Sequence, residues 1–230
     1  MRTFLPNLVT LLNLAFGCLA VVFLFKGQWL TAVWCVGGSL LADFLDGAVA
    51  RLLGVSSELG KQLDSLADVV SFGFVPGAIL YHLLTINFAY PEVGFLITLL
   101  SALRLGKFNI DTRQTDQFIG LPTPACTIFI IGVLLVHQFD AYNLGIFIVQ
   151  PAVLLIITVL FSYLLVAELP LFSLKFKHLR WQENEWRFIF LILAVLLLLW
   201  LQSLGLLLVI LLYLLISLGL YFSSNKTTAS

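Results

Sequence analysis

The sequence predicts an all-α, polytopic membrane protein of about eight transmembrane helices, arranged as a six-helix core followed by a C-terminal hairpin. Three observations predict it. The 230-residue chain is 61% hydrophobic and only 10% charged, with a mean hydropathy of +1.08, where soluble domains carry about 25% charged residues. Its apolar residues fall in runs long enough to cross a bilayer, which takes about 17–25 residues each. Its basic residues alternate with those runs so that nearly all reach one side.

Taken in order, the runs cover residues 5–25, 29–53, 61–86, 93–112, 122–139, 144–167, 186–202 and 204–222. The first is too long for a signal-peptide core and no A-x-A-like site follows it, so a retained helix is expected. Between the second and third runs, Gly54 suits a left-handed helix end. Ser56 or Ser57 can cap the next helix, where Glu58 complements the helix dipole. The one sizeable polar stretch lies near 168–187. It divides the chain into a six-helix membrane core (1–167), a polar connector (168–185) and a hairpin with its tail (186–230).

Of the 12 Lys and Arg residues, all but Lys26 fall on one side when the N-terminus is cytoplasmic: Arg2, Arg51, Lys61, Arg104, Lys107, Arg113, Lys175, Lys177, Arg180, Arg187 and Lys226. The expected location is therefore the cytoplasmic (inner) membrane. The formal net charge is zero, and nothing supplies a basic arm for nucleic acid. Cys18, Cys35 and Cys126 lie in apolar runs without metal spacing and read as small buried hydrophobes. His82, His137 and His178 read as surface residues. Trp29, Trp34, Trp181 and Trp186 fall near the expected interfaces, where indoles prefer to lie.

Against this apolar background, four carboxylates stand within residues 43–68, spaced as D-x2-D-G-x2-A-R-x8-G-x3-D-x3-D. An ionised Asp costs about 2.5–3.5 kcal/mol at the centre of an inserted helix, so four together need cations or a polar cavity. Asp43 and Asp46 are three apart, and Asp64 and Asp68 four apart, which puts each pair on one helical face. Two such faces turned toward each other make an oxygen-ligand site for hard divalent cations. Gly47, Ala50 and Gly60 leave room for a ligand to approach the backbone, and Arg51 can pair with phosphate bidentately. Together these residues describe a diphosphate-binding site that uses metal ions. A Gly-x2-Ala pair also serves helix packing, and intramembrane acids also serve cation or proton transporters. A transporter would carry its charges toward the midplane, whereas all four Asp residues here lie at one end of their spans.

The motif, spacing included, resembles the signature of the CDP-alcohol phosphatidyltransferases, with every fixed position filled. The resemblance implies a CDP-linked lipid donor and two divalent cations, Mg2+ or Mn2+, held by Asp43, Asp46, Asp64 and Asp68, with Asp68 also the general base. It implies that Gly47, Ala50, Arg51, Ser57 and Gly60 line the donor pocket. Pro6-Asn7 with Thr10 and Asn13 is similar to the family's Pro-Asn-x2-Thr element, which adds Asn7 and Thr10 to the donor-binding set.

Three further blocks resemble the integral-membrane phosphatidylserine synthases of that family: Ser71-Phe72-Gly73-Phe74-Val75-Pro76-Gly77, Arg104-Leu105-Gly106-Lys107-Phe108-Asn109 and Gly120-Leu121-Pro122-Thr123-Pro124-Ala125. Similar sequences read Ala-Arg where Gly106-Lys107 stands. The implied reaction transfers the phosphatidyl group of CDP-diacylglycerol to L-serine and releases CMP, with homodimers common among relatives. Arg104, Lys107 and Asn109 are the implied acceptor-binding residues. Arg104, Lys107 and Asp111 share a face by their spacing of three and four; cations there could hold the serine carboxylate and an acid its ammonium. The same cations could hold the phosphate of glycerol 3-phosphate, the rival acceptor; an inositol-type acceptor would want further basic residues.

Overall fold

The computed structural model describes residues 4–55, 57–110, 118–172 and 184–227. The expected cap Ser56, the charges Asp111 and Arg113, and most of the polar connector, with His178 and Trp181, lie outside the described residues. The regular structure described is helical apart from one two-residue antiparallel pairing, β1 (Phe118–Ile119) with β2 (Pro170–Leu171). The chain divides into two compact units, Met1–Asn109 and Ile110–Ser230.

The first unit holds α1 (Phe4–Phe25), α2 (Trp29–Leu53), α3 (Glu58–Asp68), a π-helical segment (Val69–Phe74), α4 (Val75–Leu84), a 3-10 turn (Pro91–Phe95) and α5 (Leu96–Ile110). Four stretches of this unit are long and apolar enough to cross a membrane: Phe4–Phe25, Trp29–Leu53, Glu58–Leu84 and Pro91–Ile110. They coincide with the first four expected spans to within a few residues. Gly54 ends α2 in the left-handed conformation (φ 60°, ψ 35°) and its N–H bonds back to Ala50 and Arg51 carbonyls, the closure that a residue without Cβ permits. Ser57 is the cap of α3, its Oγ accepting from the Gly60 N–H at 3.0 Å.

Pro76 explains the π segment. Proline lacks an N–H, and in an α-helix its ring would meet the carbonyl four residues back. Widening the preceding turn relieves that clash, and Val75 N–H bonds to Val70 O, five residues back. A side chain of α5 takes up one carbonyl of the irregular stretch: Thr98 Oγ1 donates to Gly73 O at 2.9 Å. That substitution is what lets a broken helix persist inside a membrane. α1 crosses the π segment at Gly17, where a Cβ would collide with the Ser71 hydroxyl.

The second unit holds α6 (Thr123–Gln138), a 3-10 turn (Ala141–Asn143), α7 (Gly145–Ile148), α8 (Pro151–Val166) and α9 (Glu185–Thr227). α6 and α8 are apolar but 16 residues each, about 24 Å at 1.5 Å per residue, against a hydrocarbon core near 30 Å. The sixth run, expected continuous over 144–167, is broken at Val149 and Gln150, because Pro151 opens a new helix at its first position. Gly120, at φ 77°, abuts the Leu165 carbonyl so closely that no side chain fits.

α9 contains the fifth stretch long enough to span, Glu185–Tyr221. It is interrupted at Gln202 (φ 46°, ψ −112°), and there the chain doubles back. The rings of Phe190 and Tyr213 lie 5.9 Å apart, whereas 23 intervening steps of straight helix would separate them by about 34 Å. Residues 185–201 and 203–227 are thus antiparallel arms.

Large apolar side chains stand exposed along the outer helix faces, Leu52 at 85% and Trp200 at 82% among them. Water would penalise such surfaces, and lipid tails do not. Length, composition and exposure together describe an integral membrane protein.

Candidate functional site: a carboxylate cluster beside a small-residue cavity

α2 contributes Asp43 and Asp46 from its C-terminal half, and α3 contributes Asp64 and Asp68, the latter its last residue. Carboxylate oxygens of Asp43, Asp64 and Asp68 lie within 4.8 Å of one another. Asp46, one turn along α2 from Asp43, is buried; its Oδ2 accepts from Thr10 Oγ1 at 2.7 Å. That hydroxyl also lies 3.1 Å from the Pro6 carbonyl, and its one proton serves the shorter, charged partner better. Asp68, also buried, accepts from Asn13 Nδ2 at 3.2 Å.

Three carboxylates at this distance repel by roughly 3–4 kcal/mol per pair at an effective dielectric near 20. Among the described residues no basic side chain forms an ion pair with them. The donor set is all oxygen and anionic, which suits a hard divalent cation such as Mg2+ or Mn2+. Asp43, Asp64 and Asp68 therefore fit a metal ion.

Beside the cluster opens a cavity of about 360 Å³ lined by residues of α1, α2, α3 and the α2–α3 connection, among them Asn7, Thr10, Asp46, Gly47, Ala50, Ser57, Gly60, Lys61 and Asp64. Its walls are open where they are because the residues are small. A Cβ on Gly60 would stand 3.0 Å from both Asn7 Oδ1 and Ser57 Oγ. A Cβ on Gly47 would face the guanidinium of Arg51 at 3.6 Å. Arg51 is exposed, beside the cavity rather than in its wall.

The structure thus brings together the four Asp residues and Asn7, Thr10, Gly47, Ala50, Ser57 and Gly60, with Arg51 adjacent. The expected acceptor residues are placed differently. Arg104 is buried on α5, with its guanidinium 6.0 Å from the Phe108 ring centre, and Lys107 is exposed on the last turn. The Asn109 side chain donates to Ser65 Oγ at 2.8 Å. None of the three lines the cavity.

Two contributors were missed by sequence reasoning. Lys61 was counted only for topology, yet it lines the cavity and its Nζ donates to the Asn109 carbonyl at 2.9 Å. Its position one residue after Gly60 was the available signal. Ser65 had no sequence signal beyond adjacency to Asp64.

Comparison with known proteins places these residues in a family context. Residues 3–164 match the family model of the CDP-alcohol phosphatidyltransferases. The CDP-diacylglycerol–serine O-phosphatidyltransferase of Bacillus subtilis strain 168 is 33% identical over 186 residues, 79% of this chain and 94% of that protein. The protein of the same name from Helicobacter pylori strain J99 is 39% identical over 130 residues, so that the chain spans 55% of that relative's length. The archaetidylserine synthase of Methanothermobacter thermautotrophicus is 35% identical over 156 residues, 66% of each chain. With its Asp motif intact and more than half its length matched, the chain belongs to the CDP-alcohol phosphatidyltransferase family.

Proposed function

We propose that this protein transfers the phosphatidyl group from CDP-diacylglycerol to the hydroxyl of L-serine, giving phosphatidylserine and CMP. The observation that carries the reading is a cavity walled by Gly47, Ala50 and Gly60 and opening directly beside the carboxylates of Asp43, Asp64 and Asp68. Serine as acceptor is supported by the relatives, two CDP-diacylglycerol–serine O-phosphatidyltransferases and an archaetidylserine synthase.

Asp43, Asp64 and Asp68, with Asp46 alongside, would hold the divalent cations, Mg2+ or Mn2+ and two in number. Bound there, cations offset the charge of the donor diphosphate and of departing CMP. The small residues let the diphosphate approach the backbone, while Arg51 and Lys61 supply positive charge at the cavity's edge. Asp68 takes the proton of the attacking hydroxyl. An alcohol is a poor nucleophile at neutral pH, so positioning contributes most of what these side chains add. Arg104 and Lys107 form the acceptor side, with Arg104 holding the serine carboxylate, and Asn109, bonded to Ser65, moors that end of α5 to α3. The active site faces the cytoplasm, where the basic residues gather, and the enzyme acts in the inner membrane as a homodimer.

The test uses purified protein in mixed micelles with CDP-diacylglycerol and Mg2+ or Mn2+. CMP release is scored with serine, glycerol 3-phosphate or inositol as acceptor. Serine-dependent release is expected. Brisk reaction with glycerol 3-phosphate and none with serine would overturn the acceptor and leave the family intact.

A further inference from the structure

We propose that α1 carries the positioning residues of the carboxylate cluster: Thr10 and Asn13 orient Asp46 and Asp68, and thereby set the affinity of the site for divalent cations. The inference rests on the metal-assisted reading above and concerns residues that are not themselves cation ligands.

Thr10 and Asn13 are three apart on α1 and so share a face. Both are buried, at 4% and 0% exposure. Each sends one hydrogen bond to a different motif helix, Thr10 to Asp46 on α2 and Asn13 to Asp68 on α3. One rigid helix therefore fixes one acid on each of the two helices that must face each other.

Asn13 is itself held in place. Its backbone carbonyl accepts from Ser39 Oγ and Ser71 Oγ, both at 3.0 Å. Ser39 stands one turn before Asp43, and Ser71 one turn after Asp68 in the π segment. Each motif helix thus anchors Asn13 by a hydroxyl one turn from an acid of the cluster. The widened π turn belongs to this arrangement, because it sets the face on which Ser71 emerges.

Packing alone does not account for Asn13. Among the described residues its buried Oδ1 has no hydrogen-bond partner, an arrangement that stability penalises. A leucine would fill the same place without an orphaned polar atom. What Asn13 supplies and leucine lacks is the N–H donor facing Asp68. Such outer contacts to ligating carboxylates typically change metal affinity by about 10- to 100-fold.

The experiment measures Mn2+ binding by electron paramagnetic resonance on the full-length protein in detergent, without substrate, for wild type, Thr10→Val, Asn13→Leu and Asn13→Ala. Thr10→Val keeps the side-chain shape, and the two Asn13 variants bracket its volume. Weaker Mn2+ binding, by about 10-fold or more, is expected in Thr10→Val and in whichever Asn13 variant retains the wild-type melting temperature. The metal concentration giving half-maximal transfer should rise in parallel, and in the folded Asn13 variant, whose side chain is not in the cavity wall, with little change in the KM for CDP-diacylglycerol. Wild-type Mn2+ affinity in Thr10→Val and in a folded Asn13 variant would overturn the proposal, as would loss of Mn2+ binding only in variants whose melting temperature falls. Absence of transfer by the wild type would instead count against the enzymatic reading, which the binding measurement does not depend on.

Discussion

The side-chain amide of Asn109 donates a 2.8 Å hydrogen bond to Ser65 Oγ, so the end of α5 is moored on the motif helix one residue from Asp64. Lys61 strengthens the mooring through the Asn109 carbonyl. The sequence reading put Asn109 in contact with the acceptor; the contact seen is with the helix that bears the acids. Removing either partner of a neutral hydrogen bond costs on the order of 1 kcal/mol, about 5-fold. Asn109→Ala and Ser65→Ala should each slow transfer by roughly that factor, and the double variant should be little worse than either single one. Steady-state kinetics on the four proteins checks this. A silent Ser65→Ala beside a strongly impaired Asn109→Ala would mean that Asn109 acts on the acceptor directly.

Substitution can separate the roles proposed for the three clustered carboxylates. Asp43→Asn and Asp64→Asn should each lower kcat by at least about 100-fold, as loss of charge stabilisation at a reacting centre does. Chelation should abolish activity in the native protein. If Asp68 takes the proton as proposed, Asp68→Asn should stop transfer equally but leave CDP-lipid binding measurable. Equilibrium binding of a CDP-lipid to each variant distinguishes them. Binding lost in Asp68→Asn as fully as in Asp43→Asn would leave Asp68 a cation ligand with no separate part in proton transfer.

What the sequence made legible follows from which interactions are local. Asp43, Asp46, Gly47, Ala50, Gly60, Asp64 and Asp68 were found because their mutual spacing is the site, and the helix periods carry that spacing into space. Gly54 and Ser57 were readable for the same reason, each serving a helix end within a turn of itself. The bonds from Thr10 to Asp46 and from Asn13 to Asp68 span 36 and 55 residues; no local pattern encodes which helix α1 will face. The π turn has no sequence period of its own, and Pro76 was its one visible cause. The break at Gln150 came from Pro151, a signal present in the sequence that an apolar run of otherwise sufficient length concealed.

Orientation in the membrane is testable at the two ends of α2. Gln28 and Leu52 are both exposed, and they bracket the helix. The distribution of basic residues predicts that the Leu52 end faces the cytoplasm. In a background lacking Cys18, Cys35 and Cys126, Gln28→Cys should react with an impermeant maleimide added to intact cells. Leu52→Cys should react only after the membrane is opened. Reaction of both from outside would remove the cytoplasmic placement of the site.

Arg104 is where the proposed acceptor role can be tested. It is 8% exposed on α5, and a guanidinium kept inside an apolar helix bundle is expensive unless it has a task. Serine offers one carboxylate and one ammonium, whereas glycerol 3-phosphate offers a dianionic phosphate. A fixed guanidinium pairs with a carboxylate through two parallel hydrogen bonds. Removing a charged partner of that kind costs about 1.5–3 kcal/mol, roughly 10- to 150-fold in apparent affinity. Arg104→Ala should therefore raise the KM for serine by that factor and that for CDP-diacylglycerol far less. Arg104→Lys should recover only part of the loss, because an ammonium keeps the charge without the planar fork. Initial rates with each substrate varied in turn provide the measurement. Equal increases in both KM values would place Arg104 in the architecture of α5 rather than on the acceptor.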